Sequence, residues 1–300
     1  MIARAPGKIV LSGAYAVLEG APAIVAAVDR YVTADTSRPP PLLTPEVRAA
    51  LGSDPAPWFD AGPLRNGDKK LGLGSSAAIL VASLGAVYAA KTPFDSDEAL
   101  REAVLGPALL AHRTAQGGGS GIDVAASVHG GAIVARKTES GLEVRHATLP
   151  ADAVIEVLFA GVPASTSELV SKVRAFKARA PHEYAGFIED LRSGSEEAEQ
   201  ALDDGSAIGL VRALRTQLRG FSDLGERARV PIVTREVARL ADAAAEEDAV
   251  VLPAGAGGGD VAIYVGTAPP SAALVRAFDA ERHERLPLRL GAQGLHRVLA

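Results

Sequence analysis

Three glycine clusters stand beside residues able to handle a charged ligand, and the first is Gly72-Leu73-Gly74-Ser75-Ser76-Ala77-Ala78. Glycines let backbone N–H groups approach an anion without Cβ interference. The alanine-rich run that follows is helix-compatible. A helix starting there adds unpaired N–H groups and its positive dipole end. Ser75 and Ser76 can hydrogen-bond a phosphate, and either can give an oxygen to Mg²⁺. A tight turn with a serine N-cap would use the same residues, and the spacing alone leaves both readings open. The loop is not a Walker A, because no Gly-Lys-Ser/Thr closes it, and its glycine spacing is wrong for a dinucleotide fingerprint.

The second cluster, Gly117-Gly118-Gly119-Ser120-Gly121, leads to Asp123, and the third, Gly255-Ala256-Gly257-Gly258-Gly259, leads to Asp260. An aspartate near a helix start is favoured as its anion by the dipole, so Asp123 is a candidate catalytic or orienting carboxylate, or a plain first-turn charge. Lys8, after Pro6-Gly7, can face phosphates as a point charge or lie solvated at a strand edge. Between Ser165 and Arg179 one face is apolar at helical spacing (Leu169, Val173, Phe176, Ala180), while Lys172, Arg174, Lys177 and Arg179 carry positive charge elsewhere. These basic residues form a candidate anion site or only a solvated face. Ser165 with Glu168 also reads as a capping box. Arg113, Arg136 and Lys137 are further cationic candidates. His112 is a cleft residue or a hydrogen-bonded structural group, and Trp58 borders a base or simply packs.

The elements that must position these residues are legible in outline. Ile9 to Leu11, Ala23 to Val28 and Tyr31 to Thr36 read as strands. The proline-rich stretch from Arg38 to Pro63 reads as loop with at most a short helix over Glu46 to Leu51. Helices are expected over Ala77 to Ala90, Ser96 to His112 with Ser96 as N-cap, and Ile122 to Val128. A hairpin over Ala132 to Leu149 turns at Ser140-Gly141, and Val154 to Gly161 is a buried strand. Helices fill Ser165 to Glu247 with breaks near Gly194 and Pro231. Strands over Ala249 to Leu252 and Val261 to Val265, a helix over Ser271 to Arg282 and a final strand over Pro287 to Leu290 complete the chain. The natural seam falls near residues 150–165.

The 300 residues are 48% hydrophobic and 22% charged, which is ordinary globular composition and enough chain for one large or two moderate domains. With no cysteine, disulfides, thiolate metal sites and cysteine nucleophiles are excluded. The net charge of −5 argues against a nucleic-acid partner. No apolar run reaches the roughly 20 residues that a membrane helix needs, and the first residues do not read as a signal peptide. A cytoplasmic protein without membrane or nucleic-acid partners is expected.

Taken together, Ala5-Pro6-Gly7-Lys8-Ile9-Val10-Leu11-Ser12-Gly13, Gly72 to Ala78 and Gly255 to Asp260 resemble, in order, the motifs of the GHMP kinase superfamily. Within it the chain is most similar to the phosphomevalonate kinase subfamily. That likeness rests on Ser12 to Leu18, on Ala111-His112 through Gln116 to Ala126, and on Ser165 to Val173. It departs at Ala14, where many members have glutamate, and at His112, where mevalonate kinases carry a metal-binding glutamate eleven residues before the catalytic aspartate.

The resemblance implies an α+β, two-domain fold. A left-handed βαβ-type ATP-binding domain would span residues 1–155 and a ferredoxin-like domain residues 156–300, with the active site in a cleft. It implies ATP and Mg²⁺ as cofactors, with phosphates on Gly72, Leu73, Gly74, Ser75, Ser76 and Ala77, and Ser76 as a metal contact. Lys8 and Asp123 would be catalytic. A small-molecule phosphorylated acceptor would be bound by Lys8, Ser120, Gly121, Ser165, Thr166, Ser167, Lys172, Gly257 and Gly258. The expected reaction is phosphoryl transfer to phosphomevalonate by a monomer or homodimer. Mevalonate kinase or another small-molecule kinase of the superfamily is the alternative, ahead of diphosphomevalonate decarboxylase or a silent ligand sensor.

Overall fold

The computed structural model describes residues 1–161 and 165–298. In chain order its elements are β1 (Ile2–Ser12), β2 (Pro22–Asp35), α1 (Pro45–Leu51), β3 (Trp58–Asp60), β4 (Arg65–Asn66), β5 (Lys69–Lys70), α2 (Ser75–Lys91), α3 (Asp97–Gln116), α4 (Ile122–His129), β6 (Ala132–Lys137), β7 (Leu142–Ala147), β8 (Val154–Phe159), α5 (Thr166–Arg179), α6 (Pro181–Asp203), α7 (Ala207–Ala228), α8 (Arg235–Ala245), β9 (Val250–Pro253), β10 (Val261–Gly266), α9 (Ala272–Ala280), β11 (Glu284–Leu286) and β12 (His296–Val298). They form two compact units, one of residues 1–9, 25–133 and 289–300, the other of residues 10–24 and 134–288. β1, β2 and β6 each contribute residues to both.

In the first unit β1 pairs antiparallel with β12, from Ile2 opposite Val298 to Arg4 opposite His296, and β3 pairs with β2. α1 to α4 pack together beside these strands. α2 is buried nearly all round, from Ala77 to Val87, which is why its sequence has no polar stripe: a helix apolar on every side belongs in a core. The chain starts α1 with Thr44, whose hydroxyl accepts from the Val47 N–H, and with Pro45 in the first turn. α3 starts on Ser96, as its sequence predicts.

The second unit holds a four-stranded antiparallel sheet in the order β11-β8-β10-β9. Leu158, Val251, Ala262 and Tyr264 from the sheet pack with Val237, Leu240, Leu274 and Phe278 from α8 and α9.

Four expectations change. Gly194 does not break a helix but lies inside α6, where a Cβ would stand 2.8 Å from Gln217 Cγ of α7. Its glycine serves close helix approach. Pro287 to Leu290 is not a strand: β11 ends at Leu286, before a proline that has no N–H to pair. The terminal strand is instead β12. Ala23 to Val28 and Tyr31 to Thr36 are one continuous strand, β2. Trp58 belongs to a strand, with the Arg38 guanidinium 3.9 Å from its ring centroid, a cation–π arrangement that accounts for it by packing.

Candidate active site

The first unit gathers the charged and glycine-rich motifs. The Lys8 N–H donates to the Leu73 carbonyl at 2.9 Å, which ties β1 to the glycine loop. Gly74 has φ +73, and a Cβ there would stand 2.8 Å from Lys8 Cε and 3.0 Å from Cγ. The aliphatic stem of Lys8 thus lies across Gly74, and only glycine satisfies both the backbone and the contact. α2 begins on Gly74 as N-cap with no side-chain cap hydrogen bond. Ser75 and Ser76 are its first helical residues, so neither is the N-cap that the sequence left open. The N–H groups of this first turn have no partner inside the helix and meet the positive end of the dipole.

Glu46, in the first turn of α1, reaches this helix start. The Ser76 hydroxyl donates to Glu46 Oε1, and Gln116 Nε2 donates to the same oxygen at 3.3 Å. Burial raises the Glu46 carboxyl, but the bonds from Ser76 and Gln116 and the nearby His112 outweigh it and hold the group below the usual range. Sequence reading missed Glu46 as a site residue. An acidic first-turn residue after Thr44-Pro45 is fully explained as a helix-start signal, and that explanation hides it.

Asp123 stands in the first turn of α4, whose N-cap is Gly121 with φ +79. Its Oδ2 lies 3.3 Å from Nε2 of His112, which is only 4% exposed. Burial pushes the Asp123 carboxyl up, yet the contact and charge of His112, and then the charge of Lys8, bring it below its ordinary value. Burial likewise lowers His112, and Asp123 and Glu46 overcome it, so the imidazole is raised. Ser120 is half-buried just before this turn.

The remaining predicted residues lie in the second unit. Ser165 caps α5 by accepting from the Glu168 N–H at 3.3 Å, and its hydroxyl is 3.1 Å from that of Ser167. Thr166 opens the helix and is exposed, and Lys172 pairs with Glu168 at 2.7 Å on the exposed face. Gly257 has φ +82, and a Cβ there would stand 2.1 Å from the Ile232 carbonyl oxygen; Gly258 donates to that oxygen at 3.3 Å. Close backbone packing thus demands glycine at 257.

A cavity of about 350 Å³ in this unit is lined by Lys137, Arg174, Lys177 and Glu19 beside Tyr15 and Tyr184. Glu19 accepts from Lys177 at 2.6 Å and from the Tyr184 hydroxyl at 3.0 Å. Lys137 and Arg174 have no ion pair among the described residues. Gln217, fully buried, accepts from the Gly13 N–H and donates to the Ser12 hydroxyl, both at 2.8 Å. Tyr15, at φ +62, donates to the Ala256 carbonyl at 2.6 Å. Tyr15, just past the first motif, thereby joins it to the third at Ala256, and Gln217, which no motif signalled, holds Ser12 and Gly13. A larger cavity, about 710 Å³ beside Glu156, Arg282 and Arg285, contains none of the predicted residues.

Residues 65–131, which include the loop, His112 and Asp123, match the model of the GHMP kinases N terminal domain. The phosphomevalonate kinase of Streptomyces sp. (strain CL190) is 27% identical, with 88% of this chain and 89% of that protein covered. The chain carries a GHMP kinase N-terminal domain over residues 65–131. The chain is also 28% identical to the mevalonate kinase of Archaeoglobus fulgidus, over 92% of this chain and 96% of the relative. Its fold matches that of Streptococcus pneumoniae phosphomevalonate kinase in complex with phosphomevalonate and AMPPNP, at a TM-score of 0.75 and 19% identity, over 97% and 100% of the two chains. The GHMP kinase domain and kinase relatives that span most of the chain support a phosphotransferase. No helix among the described residues is long and apolar enough to cross a membrane.

Proposed function

We propose that this chain is a GHMP kinase that transfers the γ-phosphoryl group of ATP to phosphomevalonate, giving diphosphomevalonate and ADP. The observation that carries the choice of acceptor is the cavity on which Lys137, Arg174 and Lys177 converge against the single carboxylate of Glu19. In a chain of net charge −5, such a local excess of positive charge suits a dianionic phosphomonoester better than mevalonate, whose one charge is its carboxylate. Ser165, Thr166, Ser167 and Lys172 on α5, with Ser120, Gly121, Gly257 and Gly258, are the other proposed acceptor contacts.

The nucleotide phosphates would be received by Gly72 to Ala77, where the first-turn N–H groups of α2 supply donors without reorganisation. Lys8, held against Gly74, places its ammonium as a fixed point charge. Mg²⁺, when bound, supplies further neutralisation of charge on the transferred group, and Ser76 and Glu46 offer the oxygen donors it prefers. Asp123 is proposed as the carboxylate facing the acceptor. A phosphomonoester has its second pKa at about 6 and is largely dianionic at neutral pH, so it needs little help in losing a proton. Asp123 then mainly orients Lys8 and sets the local charge. One observation favours the second reading, mevalonate kinase: a carboxylate kept ionised against His112 is equipped to accept a hydroxyl proton.

ADP release measured in parallel with mevalonate, phosphomevalonate and diphosphomevalonate decides between them. Turnover on phosphomevalonate is expected to exceed that on mevalonate by at least about 100-fold in kcat/KM, the worth of two lost charge-assisted bonds. Preference for mevalonate would overturn the proposal. ADP accompanied by CO₂ from diphosphomevalonate would move the chain to the decarboxylases.

A further inference from the structure

Glu46 poses an electrostatic problem. It is only 9% exposed, and its hydrogen-bond partners, the Ser76 hydroxyl and the Gln116 amide, are both neutral. No lysine or arginine forms an ion pair with it among the described residues. Two other buried or half-buried carboxylates near the motifs have a cationic group in contact: Asp123 has His112 and Glu19 has Lys177. Neutral donors keep Glu46 ionised but leave a buried negative charge with no lysine or arginine partner, and buried charges are as a rule paired or bound to a metal. The fold spends a cap, a proline and a helix turn to hold this one against the first turn of α2.

We infer that Glu46 is the protein carboxylate for the divalent cation that enters with the nucleotide, acting with the Ser76 hydroxyl. The inference rests on the nucleotide reading of the Gly72 to Ala77 loop. The donor set fits. Mg²⁺ is held through one or two carboxylates together with substrate phosphates and water, not by a closed protein cage. Among the described residues no group of three or more His, Cys, Asp or Glu side chains could hold a metal, which agrees with an ion that takes its other ligands from phosphate and water. A carboxylate and a hydroxyl are hard oxygen donors, and they already meet at the helix start that would face phosphates. His112, by contrast, is buried against Asp123 and, when protonated, repels a cation. Gln116, which bonds Glu46 Oε1 and lies 3.5 Å from Ser76 Oγ, holds the two donors in register.

The test reads binding, not turnover. AMPPNP affinity is measured by calorimetry, with Mg²⁺ and with EDTA, for the wild type and for Glu46→Gln and Glu46→Asp. In the wild type Mg²⁺ is expected to tighten AMPPNP binding. In Glu46→Gln that enhancement should fall at least tenfold, while affinity in EDTA stays the same or improves, because a negative charge facing phosphates has gone. Glu46→Asp keeps the charge on a shorter stem and should recover part of the enhancement. Bound Mn²⁺ in the AMPPNP complex, followed by electron paramagnetic resonance, should change its spectrum in Glu46→Gln. An undiminished enhancement in Glu46→Gln would overturn the inference. So would an equal loss with and without metal in all variants, which would make Glu46 a structural clamp on Ser76. A wild type that binds no AMPPNP under either condition would remove the nucleotide reading itself, and the inference with it. Thermal unfolding of each variant separates a folding defect from either result.

Discussion

Gly74 makes the sharpest case at the scale of a residue, because its φ of +73 and the Lys8 side chain each forbid a Cβ independently. A left-handed conformation costs a non-glycine residue about 1–2 kcal/mol, and Lys8 must also leave its place. Gly74→Ala should lower kcat/KM for ATP by at least tenfold, with a smaller change in KM for the acceptor; a variant within twofold of wild type would show that Lys8 need not lie across the loop. His112 and Asp123 give a prediction in pH. The His112 imidazole is raised in the folded state, so its contribution is full below the unfolded value of about 6.5 and fades as pH climbs through the raised folded value. Asp123 is lowered, so its contribution is full above about 3.9 and fades as pH falls through the lowered folded value. The stability advantage of wild type over His112→Gln should therefore be greatest between roughly pH 4 and 6.5 and shrink above it. A difference in unfolding temperature that is flat from pH 5 to 9 would dissociate the pair. Both residues were visible in the sequence because their neighbours form motifs. Glu46 was not, since its local helix-start role is complete by itself and its partner Ser76 lies thirty residues on.

At the scale of elements, strand and helix identities were largely legible, because α2's unbroken apolar run and the caps Ser96, Ser165 and Ser271 are local signals. What escaped was decided between elements. Gly194 reads as a helix break by composition, yet α6 and α7 approach so closely there that nothing larger fits beside Gln217. Gln217 in turn bonds Ser12, Gly13 and the Gly194 carbonyl. Gly194→Ala should thus cost about 1–3 kcal/mol by overpacking, read as a lower urea midpoint, although alanine is the better helix former. A rise in the midpoint would mean that helix propensity, not packing, rules the site. α5 carries a second contrast. Arg174 faces the cavity, whereas Lys172 lies outside its lining and is paired with Glu168 on the surface. Removing an unpaired cation from a phosphate site costs about 1.5–3 kcal/mol. Arg174→Ala should raise KM for phosphomevalonate by tenfold or more with KM for ATP nearly unchanged, and Lys172→Ala should do less, since exposed pairs of this kind are worth under about 1 kcal/mol. The reverse ranking would transfer the acceptor role to Lys172.

For the molecule as a whole, the division of residues between two compact units separates the proposed nucleotide site from the proposed cationic pocket for the acceptor's phosphate along the chain. The loop, Lys8, Glu46, His112 and Asp123 all belong to the unit of residues 1–9, 25–133 and 289–300. The cationic cavity, with Tyr15, Glu19, Lys137, Arg174 and Lys177, belongs to the unit of residues 10–24 and 134–288. A ligand that binds only the native state protects the amides whose opening it must oppose, by RT ln(1 + [L]/Kd), or about 2.7 kcal/mol at a hundredfold excess over Kd. Hydrogen exchange should then resolve the ligands by sequence. Mg²⁺ with AMPPNP should slow exchange at the start of α2, at Lys8 and in the first turn of α1. Phosphomevalonate alone should slow it in α5, in the start of α6 and around residues 15–19, where Glu19 receives Lys177 and Tyr184. Mevalonate at the same concentration should leave that second pattern faint, because it lacks the phosphate that the three cations would hold. If phosphomevalonate instead protected only the first unit, the cavity would lose its role and acceptor recognition would have to be sought among Lys8, Ser120 and Asp123.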